Sequence, residues 1–326
     1  LAPGRPEQRS HDYVRHGTTS LFAALTFAAA GGAAAAPPAD SADDIVVTAR
    51  ASGAPIWEVT DGERRLILVG ALRGIPKDVA WSPAGLERAV RRADRVLYPI
   101  EPKVSVGDVF RLLFRSGKVT RLPKGQTAAD YLPPELYGRL SRLLQDKGEE
   151  DWQQRSPVLL SFRLLTREAG FRGRGRDLAD IVGDEAKRAK VPGRPVGSIR
   201  GKDVIDTLMA QPPRAYARCI AASVDAAEAG PEGFVARGRA WADRDIPALI
   251  ANPLDRALGL CWPWADPAIG PRLKTTWTDA IRMALRQPGT TLAVAPVRLL
   301  AEPGGVLDTL ASAGLSISGP AWRPDR

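Results

Sequence analysis

The sequence predicts an α/β protein whose central mixed β-sheet opens with a β-hairpin and whose strands bracket a helical middle. Three observations carry this. Residues 56–60 and 64–70 are strand-like runs joined by Asp61 and Gly62, a dipeptide that supplies the positive φ angles of a tight hairpin. Between residues 132 and 285 apolar residues recur mainly at helical spacing. The chain then returns to strand, helix and strand at residues 290–295, 304–313 and 315–318.

In chain order, a targeting segment comes first. Arg15 precedes the apolar run 21–30, followed by Gly31, Gly32 and the small residues Ala33 to Ala36, the order of a secretory signal peptide. Cleavage after Ala35 places Ala33 and Ala35 at the positions the peptidase reads, so residues 1–35 are expected to be removed, those before Arg15 reading as an over-extended start. The run is too short to span a bilayer and no later stretch is long enough. The mature chain is therefore expected in the periplasm or secreted, without a transmembrane segment. Residues 36–54, rich in Ala, Asp, Ser and Pro, read as a flexible lead-in, 55–320 as a single domain and 321–326 as a tail.

Within the domain, residues 82–93 read as a helix with Ser82 as cap and Pro83 in the first turn, and 95–100 as a buried strand. Residues 132–144 form a helix with Leu136, Leu140, Leu143 and Leu144 on one face. Further helices fit 158–168, 177–190, 203–209, 214–229, 233–242 and 271–285, with a short strand at 195–198.

Composition limits the chemistry. The formal charge is +9 with a pI near 9.9, and removing the leader lowers the charge by one. The basic excess is spread out, with no run laced by aromatics, so nucleic acid is not an expected partner while an anionic small molecule, peptide or polysaccharide is. Both histidines, His11 and His16, lie in the leader, so the mature chain has no Ser-His-Asp or Cys-His arrangement and no HExxH zinc motif. Cys219 and Cys261 are the two cysteines. In an oxidising compartment they either form a disulfide, stabilising by about 3–4 kcal/mol through the loop it closes, or remain two buried thiols. Residues 170–175 are glycine-rich but carry Arg172 and Arg174 and follow no strand, so they read as a basic loop and not a nucleotide cradle. Carboxylate chemistry has Glu101, Asp177 and Asp94 as candidates if they converge; solvated or salt-bridged carboxylates are the alternative. Trp262 and Trp264 either stack on a ligand or pack a turn.

An internal echo stands out, with Leu68-Val69-Gly70-Ala71-Leu72-Arg73 matching Ala293-Val294-Ala295-Pro296-Val297-Arg298 in character position by position. Each is a buried strand that leaves through small residues to an arginine.

Further residues make a family resemblance. Pro55-Ile56-Trp57, the hairpin, Gly70-Ala71-Leu72-Arg73, Trp81-Ser82, Ala93-Asp94, Leu122-Pro123 with Gly125-Gln126-Thr127, Gly175 and Asp177, Arg194-Pro195-Val196-Gly197, Ala240-Trp241-Ala242, Pro288-Gly289-Thr290, Gly304-Gly305-Val306-Leu307 and Ala313-Gly314-Leu315 follow one another in the order of the TraB/GumN family, which the chain resembles from Pro55 to Pro320. The resemblance implies a metal-dependent, peptidase-like protein with an α/β core of two related halves, akin to the erythromycin esterase and ChaN-like groups. Its metal would be held by a Gly-x-x-His motif at the first strand end, a second histidine at the matching late strand end, and glutamates between. Carried over, the histidines fall on Arg73 and Arg298, and the glutamates on Pro99, with Glu101 two residues on, and at or beside Arg200.

A guanidinium stays protonated and has no lone pair for a metal. The expectation is therefore a degenerate member, with no metal and no cofactor, an exported pseudoenzyme whose basic cleft at Gly70, Arg73 and Arg298 favours an anion. The alternatives are a hydrolase using Glu101 and Asp177 with the arginines as clamps, and an envelope or polysaccharide-associated interaction protein with the cleft filled. The relation of Arg73 and Arg298 to the nearest carboxylates separates these readings.

Overall fold

The computed structural model describes residues 52–103, 120–145, 151–172, 178–261 and 265–324. The expected leader, Gly175, Asp177, Trp262 and Trp264 lie outside them. Strand β1 (Ile56–Asp61) turns through Gly62, at φ 60°, into β2 (Arg64–Ala71), and the two pair antiparallel from Ile56↔Val69 to Asp61↔Arg64. β1 alternates buried and partly exposed residues, whereas β2 is continuously buried from Leu66 to Gly70, as a strand covered on both faces must be. Helix α1 (Ala84–Arg91) buries Leu86, Ala89 and Val90; Ser82 Oγ accepts from Ala84 N at 3.3 Å, and Pro83 stands at the N-cap, one position before the first turn.

The strand expected at 95–100 is two strands, β3 (Arg95–Tyr98) and β4 (Glu101–Lys103), because Pro99 has no N–H to continue a ladder. After α2 (Pro134–Gln145), α3 (Pro157–Arg163) and α4 (Leu178–Arg188), the strand expected at 195–198 is likewise a step between β5 (Gly193–Pro195) and β6 (Ser198–Arg200). β3 pairs with β5 and β4 with β6, and bonds from Val196 N to Tyr98 O and Glu101 N to Gly197 O, each 3.0 Å, carry the contact across the bend.

Helix α5 (Gly201–Ala210) leads to α6 (Ala217–Ala242), which breaks at Gly230, φ 63°, ahead of Pro231, the point between the two helices expected at 214–229 and 233–242. Two unexpected short helices follow, α7 (Ile246–Ala251) and α8 (Pro253–Leu260), then α9 (Gly270–Ala284), β7 (Gly289–Pro296), α10 (Val297–Ala301), α11 (Val306–Ser312) and β8 (Ser316–Ser318).

The six-stranded sheet has the order β5-β3-β7-β2-β1-β8 and is mixed: β5, β3, β7 and β2 run parallel, while β1 is antiparallel to both β2 and β8. β2 and β7 are neighbours in the register Leu68↔Ala293, Val69↔Val294, Gly70↔Ala295 and Ala71↔Pro296. The first four positions of the internal echo are thus paired residue for residue in the sheet, and its last two lie just beyond the strand ends.

Trp57, Trp241 and Trp277 are fully buried in the main core around the sheet. A second apolar cluster joins α2, α3 and α6 through Leu140, Leu144, Leu160 and Ile220. A third packs Phe234, Leu254 and Ala257 around Cys219 and Cys261, which are disulfide-bonded with their Cα atoms 4.8 Å apart. Among the described residues no helix is long and apolar enough to cross a membrane.

Contacts reach a few residues past residues 55–320 at both ends. Gly53 and Ala54, assigned to the lead-in, are buried, with Gly53 N donating to Ala242 O at 2.8 Å. Trp322 and Arg323, assigned to the tail, donate to Asp308 Oδ1 through Nε1 and Nε, each at 2.8 Å. Sequence composition does not register such single backbone and side-chain bonds.

Candidate functional site at the carboxyl edge of the sheet

Parallel strands in α/β proteins place ligand sites beyond their carboxyl ends. β2 and β7 end side by side here, so Arg73 and Arg298 leave adjacent strands at matching positions. Gly70, three residues before Arg73, is buried: a Cβ there would lie 3.0 Å from Trp57 Cζ3 and 3.2 Å from Val297 Cγ2, and its carbonyl accepts Trp241 Nε1 at 2.8 Å. Close packing and the Trp241 bond thus fix the backbone of this residue. Gly74, at φ 70°, fits closely under Arg172 O and Phe171, which fixes the turn that follows Arg73.

The two arginines differ. Arg298 is engaged: its Nε donates to Asp255 Oδ2 at 2.8 Å and its terminal nitrogen lies 2.7 Å from the same oxygen and 2.8 Å from Ile250 O. Gly259 on α8 makes room for it, since a Cβ there would come within 2.5 Å of Arg298 Cδ. Arg73 is exposed, with no ion-pair partner for its side chain among the described residues. The two echo positions thus differ, a buried carboxylate having claimed Arg298.

That carboxylate anchors a network. Arg237 of α6 donates from Nε to Asp255 Oδ1 at 3.0 Å and from a terminal nitrogen to Arg73 O at 2.9 Å. The side chains of Arg237 and Asp255 are each 4% exposed. A continuous path thus links the two echo positions, from the Arg73 carbonyl through Arg237 and Asp255 to the Arg298 guanidinium. Burial pulls the Arg237 pKa below its ordinary value against the opposing effect of Asp255, and the Arg298 cation adds to the lowering. The guanidinium remains charged all the same, and removing Asp255 would leave two cations without their partner.

Of the carboxylates considered for catalysis, Asp177 lies outside the described residues and the other two stand apart. Asp94 and Glu101 flank β3 at opposite ends: Asp94 accepts from Thr290 N at 2.7 Å at the amino edge of the sheet, and Glu101 stands exposed on the β4–β6 ribbon beyond the carboxyl edge. Pro99, at the other inherited glutamate position, is half-buried, and Arg200 is exposed and paired with Asp203 at 3.2 Å.

Sequence reasoning missed Arg237 and Asp255. A signal existed for Asp255: Asn252 followed by Pro253 is a helix start, and Asn252 Oδ1 accepts from Leu254 N and Asp255 N at 3.0 and 3.2 Å. Arg237 had none, being one of several basic residues along α6.

The donor set does not fit a metal. Two guanidiniums occupy the positions where the resemblance puts imidazoles, and both oxygens of Asp255 are taken by arginine. Among the described residues no three His, Cys, Asp or Glu side chains are grouped to hold an ion.

Comparison with known proteins agrees with this architecture. The model of the TraB/PrgY/gumN family matches residues 55–319, most of the chain, and the protein belongs to that family. No curated protein and no solved structure matches it.

Proposed function

We propose that this chain is an exported, catalytically silent member of the family, in which the metal position is rebuilt as an arginine–aspartate network. Arg73 is then the cation left to meet an anionic ligand, a carboxylate or phosphate on a small molecule, peptide or polysaccharide. One observation carries the reading: Arg298 is bonded to buried Asp255, while Arg73, two residues past the end of the neighbouring strand, has no ion-pair partner among the described residues. The signal-like segment and the Cys219–Cys261 bond support export.

Isothermal titration of the purified protein with zinc, manganese and cobalt tests it. No tight binding is expected, together with no metal-stimulated peptide hydrolysis; tight uptake of any of the three would overturn the reading. In the same assays Glu101→Gln should leave any residual hydrolysis unchanged, and a loss would revive a carboxylate mechanism.

A further inference from the structure

A second basic site lies along α1. A groove of about 620 Å³ is lined by Ile56 and Glu58 of β1, by Arg88, Arg91 and Arg92 of α1 and its cap, and by Arg244 in the turn after α6. Four guanidiniums border it against one carboxylate. Helical spacing explains why three of them share a face, and basic residues near a helix C-terminus are ordinary. Two are already engaged, Arg91 with Glu185 and Arg92 with Glu58, both at 2.5 Å. Among the described residues Arg88 and Arg244 have no ion-pair partner.

Arg244 stands just past the C-terminus of α6, where a basic residue is likewise ordinary, but its backbone is at φ 61°, a left-handed conformation that glycine adopts without cost and an arginine does not. Its terminal nitrogen lies 3.2 Å from where a Cβ of buried Gly53 would stand, so a side chain at residue 53 would crowd it. The chain thus keeps an arginine where glycine would be easier, and a glycine where a side chain would displace that arginine.

We propose that this groove binds a phosphorylated ligand, with Arg88 and Arg244 as its principal contacts and Arg91 and Arg92 as partly neutralised flanks. Planar guanidinium forks suit the several oxygens of a phosphate or pyrophosphate group. Among the described residues no aromatic lines the groove, which disfavours a ligand held by stacking of a base or sugar. The phosphate could belong to a soluble molecule or a lipid headgroup. This site is independent of Arg73.

The test titrates tripolyphosphate at low ionic strength into the wild type, an Arg88→Gln/Arg244→Gly double variant and a control at exposed Arg218, Arg218→Gln, which lies outside both sites. Glycine suits φ 61° and glutamine keeps a good helix former on an exposed face, so the double variant should retain the wild-type Tm. Wild type and Arg218→Gln are expected to bind alike and the double variant about tenfold more weakly or worse. In a parallel arm, co-sedimentation with phosphatidylcholine vesicles containing phosphatidic acid identifies a lipid headgroup as the source if binding there is lost in the double variant. Undiminished binding by the double variant, no wild-type binding in either arm, or an equal loss in Arg218→Gln would overturn the proposal.

Discussion

The two ends of the same parallel strands use charge in opposite ways. At the amino edge, Asp94 accepts from Thr290 N, its own N–H donates to Thr290 O, and Arg95 donates to Gln287 and the Pro288 carbonyl. These charges sit at the rim, where water shares their solvation, and stitch a turn to a strand. At the carboxyl edge, Asp255 and Arg237 are buried and paired, and Asp255 also holds Arg298 of α10. A rim charge costs little to keep, whereas a buried one carries a desolvation penalty of several kcal/mol. The chain bears that penalty at the edge where the fold presents its candidate site.

This contrast can be broken experimentally. Asp255→Asn should have the largest effect, a loss of about 3–5 kcal/mol in urea unfolding, because it leaves two arginines in a dry setting without their counter-charge. Replacing Asp255, Arg237 and Arg298 together by apolar residues should recover much of that loss if the penalty is one of desolvation. Breaking the Cys219–Cys261 bond by a double serine substitution is expected to cost about 2–4 kcal/mol, with hydrogen exchange in α8 rising first, since Cys261 directly follows that helix. At the other edge Asp94→Asn should cost only about 1–2 kcal/mol, and a value matching that of Asp255→Asn would erase the distinction.

The smallest effect concerns pH. Burial pushes Asp308 upward, but hydrogen bonds from Trp322, Gly304 N and Arg323, with the charge of Arg323, hold its pKa below the ordinary carboxylate value. Its contribution is therefore fully present above about pH 4 and is lost as pH falls through the lowered folded value. Asp308→Asn should flatten this acid limb of the stability profile, measured by urea midpoints across the acid range.

Features set by neighbouring residues were legible in the sequence. Asp61-Gly62 gave away the hairpin, and the spacing of Leu140 and Leu144 the face of α2. The echo at Arg73 and Arg298 held because both strands share one register. What escaped depends on residues distant in the chain. Arg237 resembles its solvated neighbours along α6 until α7 and α8 cover it, and Asp255 resembles any first-turn acidic residue until Arg298 arrives from β7. The fate of Arg298 was therefore unreadable although its address was not. Pro99 did carry a readable warning that the strand from Arg95 would break.

The position of β7 has a consequence for how this protein comes into being. This strand, synthesised after β1 to β6, fills the gap between β2 and β3, and the contact of Trp57 Nε1 with Pro320 O, at 2.8 Å, ties the first strand to a residue 263 positions later. A nascent chain can assemble helices early, but its sheet has no middle until β7 is free to enter. Pairing of this kind, between distant parts of a sequence, is slow. A chain truncated before Gly289 would present the apolar edge of β2 as a template for the next molecule, and aggregation would be its fate.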